Sequence, residues 1–175
     1  MEFARAVGRA RSGDAQGARR SVARLEQLRT SIQDKKWKFF AGQVEIQAAA
    51  ASGWLAFAQG DKAAAEERLR KAADLEDASG IHPVNPGAML PAREQLADLL
   101  LELGRPADAL REYETSFRSM PHRFNAVYGA GRAAELSGDA ALARKHYARL
   151  IELTRGGEGT RPELKQAKVF LAGKP

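Results

Sequence analysis

Apolar residues recur at helical spacing along almost the whole chain, and short glycine-containing breaks interrupt them. Leu96, Leu99, Leu100 and Leu103 precede Gly104, and Ala109, Leu110, Tyr113 and Phe117 follow it. Val127, Ala130, Ala134 and Leu136 precede Gly138, and Ala143, Tyr147, Leu150 and Leu153 follow it. Each set describes a helix–turn–helix unit whose two apolar faces turn toward each other. No segment alternates apolar and polar residues over a strand's length, so the pattern predicts an all-α chain.

Four breaks share one chemistry: SGDA at 12–15, QGDK at 59–62, LGRP at 103–106 and SGDA at 137–140. In each, a glycine can take the left-handed conformation that ends a helix. Asp14, Asp61, Pro106 or Asp139 then starts the next one. Gly104 and Gly138 lie 34 residues apart, which sets a repeat length.

Small residues keep the same register. Ala6, Gly53, Ala97 and Gly131 share one position, and Ala18, Ala65, Ala109 and Ala143 share another. Side chains this small let the two helices of a hairpin approach closely. Residues 90–123 add Leu100, the spacing Ala109-x3-Tyr113 and Pro121, and residues 124–157 add Ala130 and Ala143-x3-Tyr147. Residues 46–79 carry Ala65-x3-Leu69, and residues 1–32 carry the weaker Ala18-x3-Val22. On these residues the chain resembles the tetratricopeptide repeat (TPR) family, whose 34-residue pattern has small residues and an A-x3-F/Y element at these places. Arg155 and Asp77 stand where two of the units would carry the family's proline.

The resemblance implies a single domain over 1–175: a right-handed superhelical stack of antiparallel helix hairpins, a TPR-like solenoid with a C-terminal capping helix. Thr160 and Glu163 have capping-box spacing, Pro162 suits a first turn, and Leu164, Ala167, Val169, Phe170 and Leu171 give an apolar side, so the cap is predicted over 161–172. The first helix reads as truncated, so the chain resembles the C-terminal part of a longer bacterial-type array. Its uncovered N-terminal face invites self-association, or cover by further repeats.

Two insertions break the register, at 33–45 and 80–89, and both fall on one edge of the stack. The first is predicted to extend a helix backwards, from about Asp34 to Gln59, projecting by about 20 Å at 1.5 Å per residue. Trp37, Phe40, Val44 and Ala48 then form a stripe with no neighbouring repeat to cover it. The second supplies Ile81, Val84 and Met89, and Pro83 and Pro86 hold His82 and Asn85 extended. It is expected to be a stiff flap that covers Trp37 and Phe40.

Composition narrows the class without changing this outline. With 44% hydrophobic and 29% charged residues, 175 residues suit a globular protein. No apolar run reaches the roughly 18 residues of a membrane span, and Arg5, Arg9 and Arg11 break up any signal-peptide core, leaving a cytoplasmic default. With no cysteine, disulfides and thiolate chemistry are excluded. The net charge of +6 is concentrated at one end, because residues 1–45 hold ten Lys/Arg against five Asp/Glu.

Candidate chemistry is sparse. His82, His122 and His146 lack cysteine partners and H-E-x-x-H spacing, so neither a metal nor a cofactor is expected. His82 has Glu76 and Asp77 nearby in sequence; His122 reads as a turn residue and His146 as facing outward. No serine sits in a G-x-S-x-G context, and Gly156-Gly157-Glu158-Gly159 lacks the ending of a P-loop. No enzyme is expected.

The resemblance implies a non-catalytic scaffold that binds a protein or peptide along the concave surface of its first helices. By register that surface holds Gln47, Trp54 and Phe57, then Glu94 and Asp98, then Asn125, Tyr128 and Arg132. Aromatic and arginine side chains there are the types that dominate interface energetics. The paired Lys and Asn of the chaperone-tail clamps are missing, and Glu94 with Asp98 suggests a basic or amide-rich partner segment. The alternative is an anionic surface or nucleic acid met by Arg19, Arg20, Arg24, Lys35, Lys36 and Lys38, with Trp37, Phe39 and Phe40 as stacking platforms.

Overall fold

The computed structural model describes residues 1–32, 37–79, 88–155, 157 and 160–173, and among them every regular element is a helix. The helices are α1 (Glu2–Arg11), α2 (Ala15–Ser31), α3 (Lys38–Ala58), α4 (Lys62–Ser79), α5 (Ala92–Glu102), α6 (Pro106–Ser116), α7 (Phe124–Leu136), α8 (Ala140–Leu153) and α9 (Pro162–Ala172). They form two compact units, Met1–Leu96 and Ala97–Pro175, with the boundary inside α5. Among the described residues no helix is long and apolar enough to cross a membrane.

The four glycines end helices by one shared mechanism. Gly13, Gly60, Gly104 and Gly138 have φ of +87°, +83°, +72° and +81°, the region where a Cβ would be strained. With each glycine turned, the next residue's N–H reaches back to a carbonyl five residues earlier: Asp14 to Arg9, Asp61 to Ala56, Arg105 to Leu100 and Asp139 to Ala134, at 2.9–3.0 Å. These bonds satisfy carbonyls that the helix end would otherwise leave open. Each aspartate then caps the next helix, accepting from Gly17 N at 2.8 Å, Ala64 N at 3.0 Å or Leu142 N at 2.9 Å. Such a cap contributes about 1 kcal/mol. The Gly-Asp pair thus closes one helix and opens the next within two residues.

All eight small register residues are buried. A Cβ on Gly53 would stand 2.8 Å from Leu69 Cγ and 3.2 Å from the Ala65 carbonyl oxygen. One on Gly131 would stand 2.7 Å from the Tyr147 ring. The first unit packs Ala6, Leu25, Ala48 and Ala51 together, with Phe3 and Val22 at the edge. The second packs Val127, Ala134, Ala143, Tyr147 and Leu150 with Leu164 and Ala167 of α9.

Two local expectations are corrected. Helix α3 begins at Lys38, with Trp37 as its N-cap residue, and ends at Ala58; residues 34–36 lie outside the described residues. Ala48 is buried rather than uncovered, because α1 and α2 both pack on α3; Trp37 and Phe40 are 47% and 46% exposed, their rings 5.6 Å apart. The flap expected over them spans 80–89; residues 80–87 lie outside the described residues, and Met89 is exposed.

At the other end Thr160 makes no capping box. Pro162 takes the first helical position, so Arg161 becomes the N-cap and Glu163 lies one residue too early for the box. Glu163 instead pairs with Arg161 at 3.3 Å. Val169, assigned to the apolar side of α9, is 66% exposed.

Candidate interaction surface

In the first unit, Trp54 lies at the centre of the predicted surface but is 1% exposed. Its indole N–H donates to Gln95 Oε1 at 2.9 Å, and Gln95 Nε2 donates to the Leu90 carbonyl at 2.9 Å. The Arg11 guanidinium sits 4.3 Å from the Trp54 ring centre, a cation–π contact, and Phe57 meets the ring edge-on at 6.0 Å. Trp54 therefore joins α1, α3 and α5. Gln47 and Phe57 remain partly exposed on α3.

The expectation that Glu94 is exposed is corrected: it is buried at 6% in the first turn of α5. That turn is clamped from α4. Ala92 N donates to Glu76 Oε2 at 2.6 Å, and Arg93 reaches Asp77 and Asp74 at 2.8 Å each. A carboxylate at a helix N-terminus meets open N–H groups and the positive end of the helix dipole. Glu76 and Asp77, the carboxylates close to His82 in sequence, are thus engaged in holding α5. His82 itself lies outside the described residues.

Asp98, in the second unit, is exposed and accepts from the Tyr113 hydroxyl at 2.5 Å. Glu94 and Asp98 do not act as an exposed acidic pair. On α7, Asn125 is exposed, and Tyr128 and Arg132 are partly exposed. Helix α9 reaches two of them: Arg161 Nη2 donates to Asn125 Oδ1 at 3.3 Å, and the Tyr128 hydroxyl donates to Gln166 Oε1 at 2.6 Å. Arg132 pairs with Glu135 Oε1 at 3.0 Å, and Glu135 Oε2 accepts from the Tyr147 hydroxyl at 2.6 Å. Burial raises the pKa of both tyrosines, aided at Tyr147 by its bond to Glu135, so both phenols stay protonated donors. Gln166 Nε2 donates to Glu135 Oε2 at 3.5 Å, so Tyr128, Gln166, Glu135, Tyr147 and Arg132 form one polar network, with the Tyr128 and Tyr147 ring centres 6.2 Å apart.

His146 is a further correction. It is 4% exposed rather than outward-facing, with its ring 5.8 Å from Phe117. Gln95, Gln166 and Arg11 were missed as partners. For Gln95 a signal existed: it shares its register with the buried Ala51 and Gly129, so an amide there needs a buried partner.

The basic residues divide between two places. Arg19, Arg20 and Arg24 are exposed on α2, and Lys38 is exposed at the start of α3. Lys35 and Lys36 lie outside the described residues. A depression of about 450 Å³ is lined by Glu67, Arg70, Lys71, Asp74 and Leu75 of α4, and it includes none of the residues singled out from the sequence.

Helix hairpins joined by Gly-Asp turns, with small residues at the contact of each pair, define a helical repeat protein. A family model described as tetratricopeptide repeat matches residues 94–158, which takes in most of α5 and all of α6, α7 and α8. Residues 94–158 are thus similar to tetratricopeptide repeats. Among solved structures, it is similar to that described as the crystal structure of MamA protein, at 20% identity and a TM-score of 0.53, covering 99% of this chain and 96% of that one. That likeness concerns the fold alone. No curated protein matches by sequence.

Proposed function

We propose that the chain is a non-catalytic scaffold that holds a segment of a partner protein against the first helices of its hairpins. Tetratricopeptide repeats generally mediate protein–protein interaction, and folds of this kind are typically non-catalytic. The observation that carries the reading is the face of α7, where Asn125, Tyr128 and Arg132 stand at helical spacing with polar groups at the surface. Within the second unit, Asp98 of α5 adds an exposed carboxylate to the candidate set. Within the first unit, Gln47 and Phe57 of α3 are separate candidates, with Trp54 and Glu94 buried as supports.

The test is affinity capture from the native cell with wild type and an Asn125→Ala, Arg132→Glu double variant, each first shown to melt like wild type. Loss of a captured partner supports the assignment. Retention of every captured protein by the folded variant sinks it.

A further inference from the structure

We infer that His146 makes the packing of α8 against α6 sensitive to acid. The residue is 4% exposed, and neither ring nitrogen has a hydrogen-bond partner. Across from it on α6, Glu114 Oε1 lies 3.6 Å from Nε2, beyond hydrogen-bonding distance, and the glutamate side chain is half exposed. The ring of Phe117, which caps the end of α6, lies 5.8 Å away. The remaining charges acting on the imidazole are Lys145 and Arg149 of its own helix. Arg149 is fixed over Phe117 at 4.7 Å and donates to the Pro121 carbonyl.

A neutral imidazole suits this place, because it packs as an aromatic ring between two helices. A protonated one does not. It would bring a cation into a buried position with two cations close by and a single, half-exposed carboxylate 3.6 Å away. Burial first, then Lys145 and Arg149, push the histidine below its usual pKa, and Glu114 opposes them only in part. The packed state therefore binds fewer protons than an opened one. Packing at this contact is complete above the ordinary histidine range and weakens as pH falls through it toward the lowered value. Both helices lie within the tetratricopeptide match, so the effect would be felt between successive second helices of the repeats.

Amide exchange followed by NMR on the full chain tests this, using wild type, His146→Phe and Glu114→Gln between pH 7.5 and 5. Phenylalanine keeps the contact with Phe117 but cannot titrate. Protection factors of the wild-type amides around residues 143–150 should fall about tenfold for each unit by which the histidine is depressed. In His146→Phe they should hold nearly constant, and in Glu114→Gln they should fall further than in wild type. An equal fall in wild type and His146→Phe overturns the inference. The imidazole carbon resonance of wild-type His146 gives a second reading should a variant not fold. A midpoint below the ordinary histidine value supports the inference, and one at or above it overturns it.

Discussion

The indole N–H of Trp54 donates to Oε1 of Gln95 at 2.9 Å, inside the first unit and 41 residues away in sequence. The bond pins α5 to α3 at a point where both side chains are buried. Replacing Gln95 with Leu leaves the indole donor without its acceptor, which costs about 1–3 kcal/mol. Truncating Trp54 to Ala removes the bond and a large buried ring, at about 3–5 kcal/mol. Urea unfolding should show both losses, with Trp54→Ala the larger. Equal midpoints for Gln95→Leu and wild type would show that the bond contributes nothing.

The two tryptophans give a spectroscopic check on the same region. Trp54 is 1% exposed and Trp37 is 47% exposed. In a Trp37→Phe variant the remaining emission should be blue-shifted and resist acrylamide. In a Trp54→Phe variant it should be red-shifted and readily quenched. Similar quenching in the two variants would contradict the burial of Trp54.

Glycine substitutions should move stability in opposite directions according to what each new methyl meets. At Gly131 a Cβ stands 2.7 Å from the Tyr147 ring, and that ring is held by its bond to Glu135. Gly131→Ala should destabilise by about 1–3 kcal/mol, the usual cost of overpacking. At Gly8, inside α1, a Cβ meets nothing within 4 Å. Gly8→Ala should stabilise by up to about 1 kcal/mol through helix propensity alone. Thermal melts that move the same way for both would show that the hairpin contact at Gly131 is looser than described.

These cases separate what the sequence reveals from what it hides. The Gly-Asp turns are readable because their chemistry is local: the left-handed glycine, the returning N–H and the capping carboxylate all lie within a few residues. The buried small residues are readable because the register repeats. The partners of α5 are not, since Glu76 meets Ala92 and Asp77 meets Arg93 only after the chain has passed through 80–87. His146 was misplaced for a different reason. Ala143, His146, Tyr147 and Leu150 form a complete i, i+3, i+4, i+7 stripe, but a polar residue beside Tyr147 invites assignment to the outer face. Helix α8 packs on α7 and also reaches Glu114 of α6 and its C-cap residue Phe117, so its buried arc is wide enough to take in both residues. On α7, Asn125 is exposed and Tyr128 and Arg132 are partly exposed, and the register gave no warning that Arg161 and Gln166 would bond to Asn125 and Tyr128.

The clamp on α5 gives the last prediction. Ala92 N donates to Glu76 Oε2, while Arg93, its side chain 11% exposed, pairs with Asp74 and Asp77. The two contacts act on different groups of the same helix turn, so they should fail differently. Glu76→Ala removes a carboxylate from the helix N-terminus, at about 1 kcal/mol, and should release the Ala92 amide to exchange. Amides beyond the first turn of α5 bond within the helix and should keep their protection. Arg93→Ala instead leaves two carboxylates facing each other without their cation, and should lower the midpoint of unfolding for the first unit. It should do so less at high salt, where repulsion between exposed carboxylates is screened. If Glu76→Ala leaves Ala92 as protected as in wild type, the carboxylate is not what holds the start of α5.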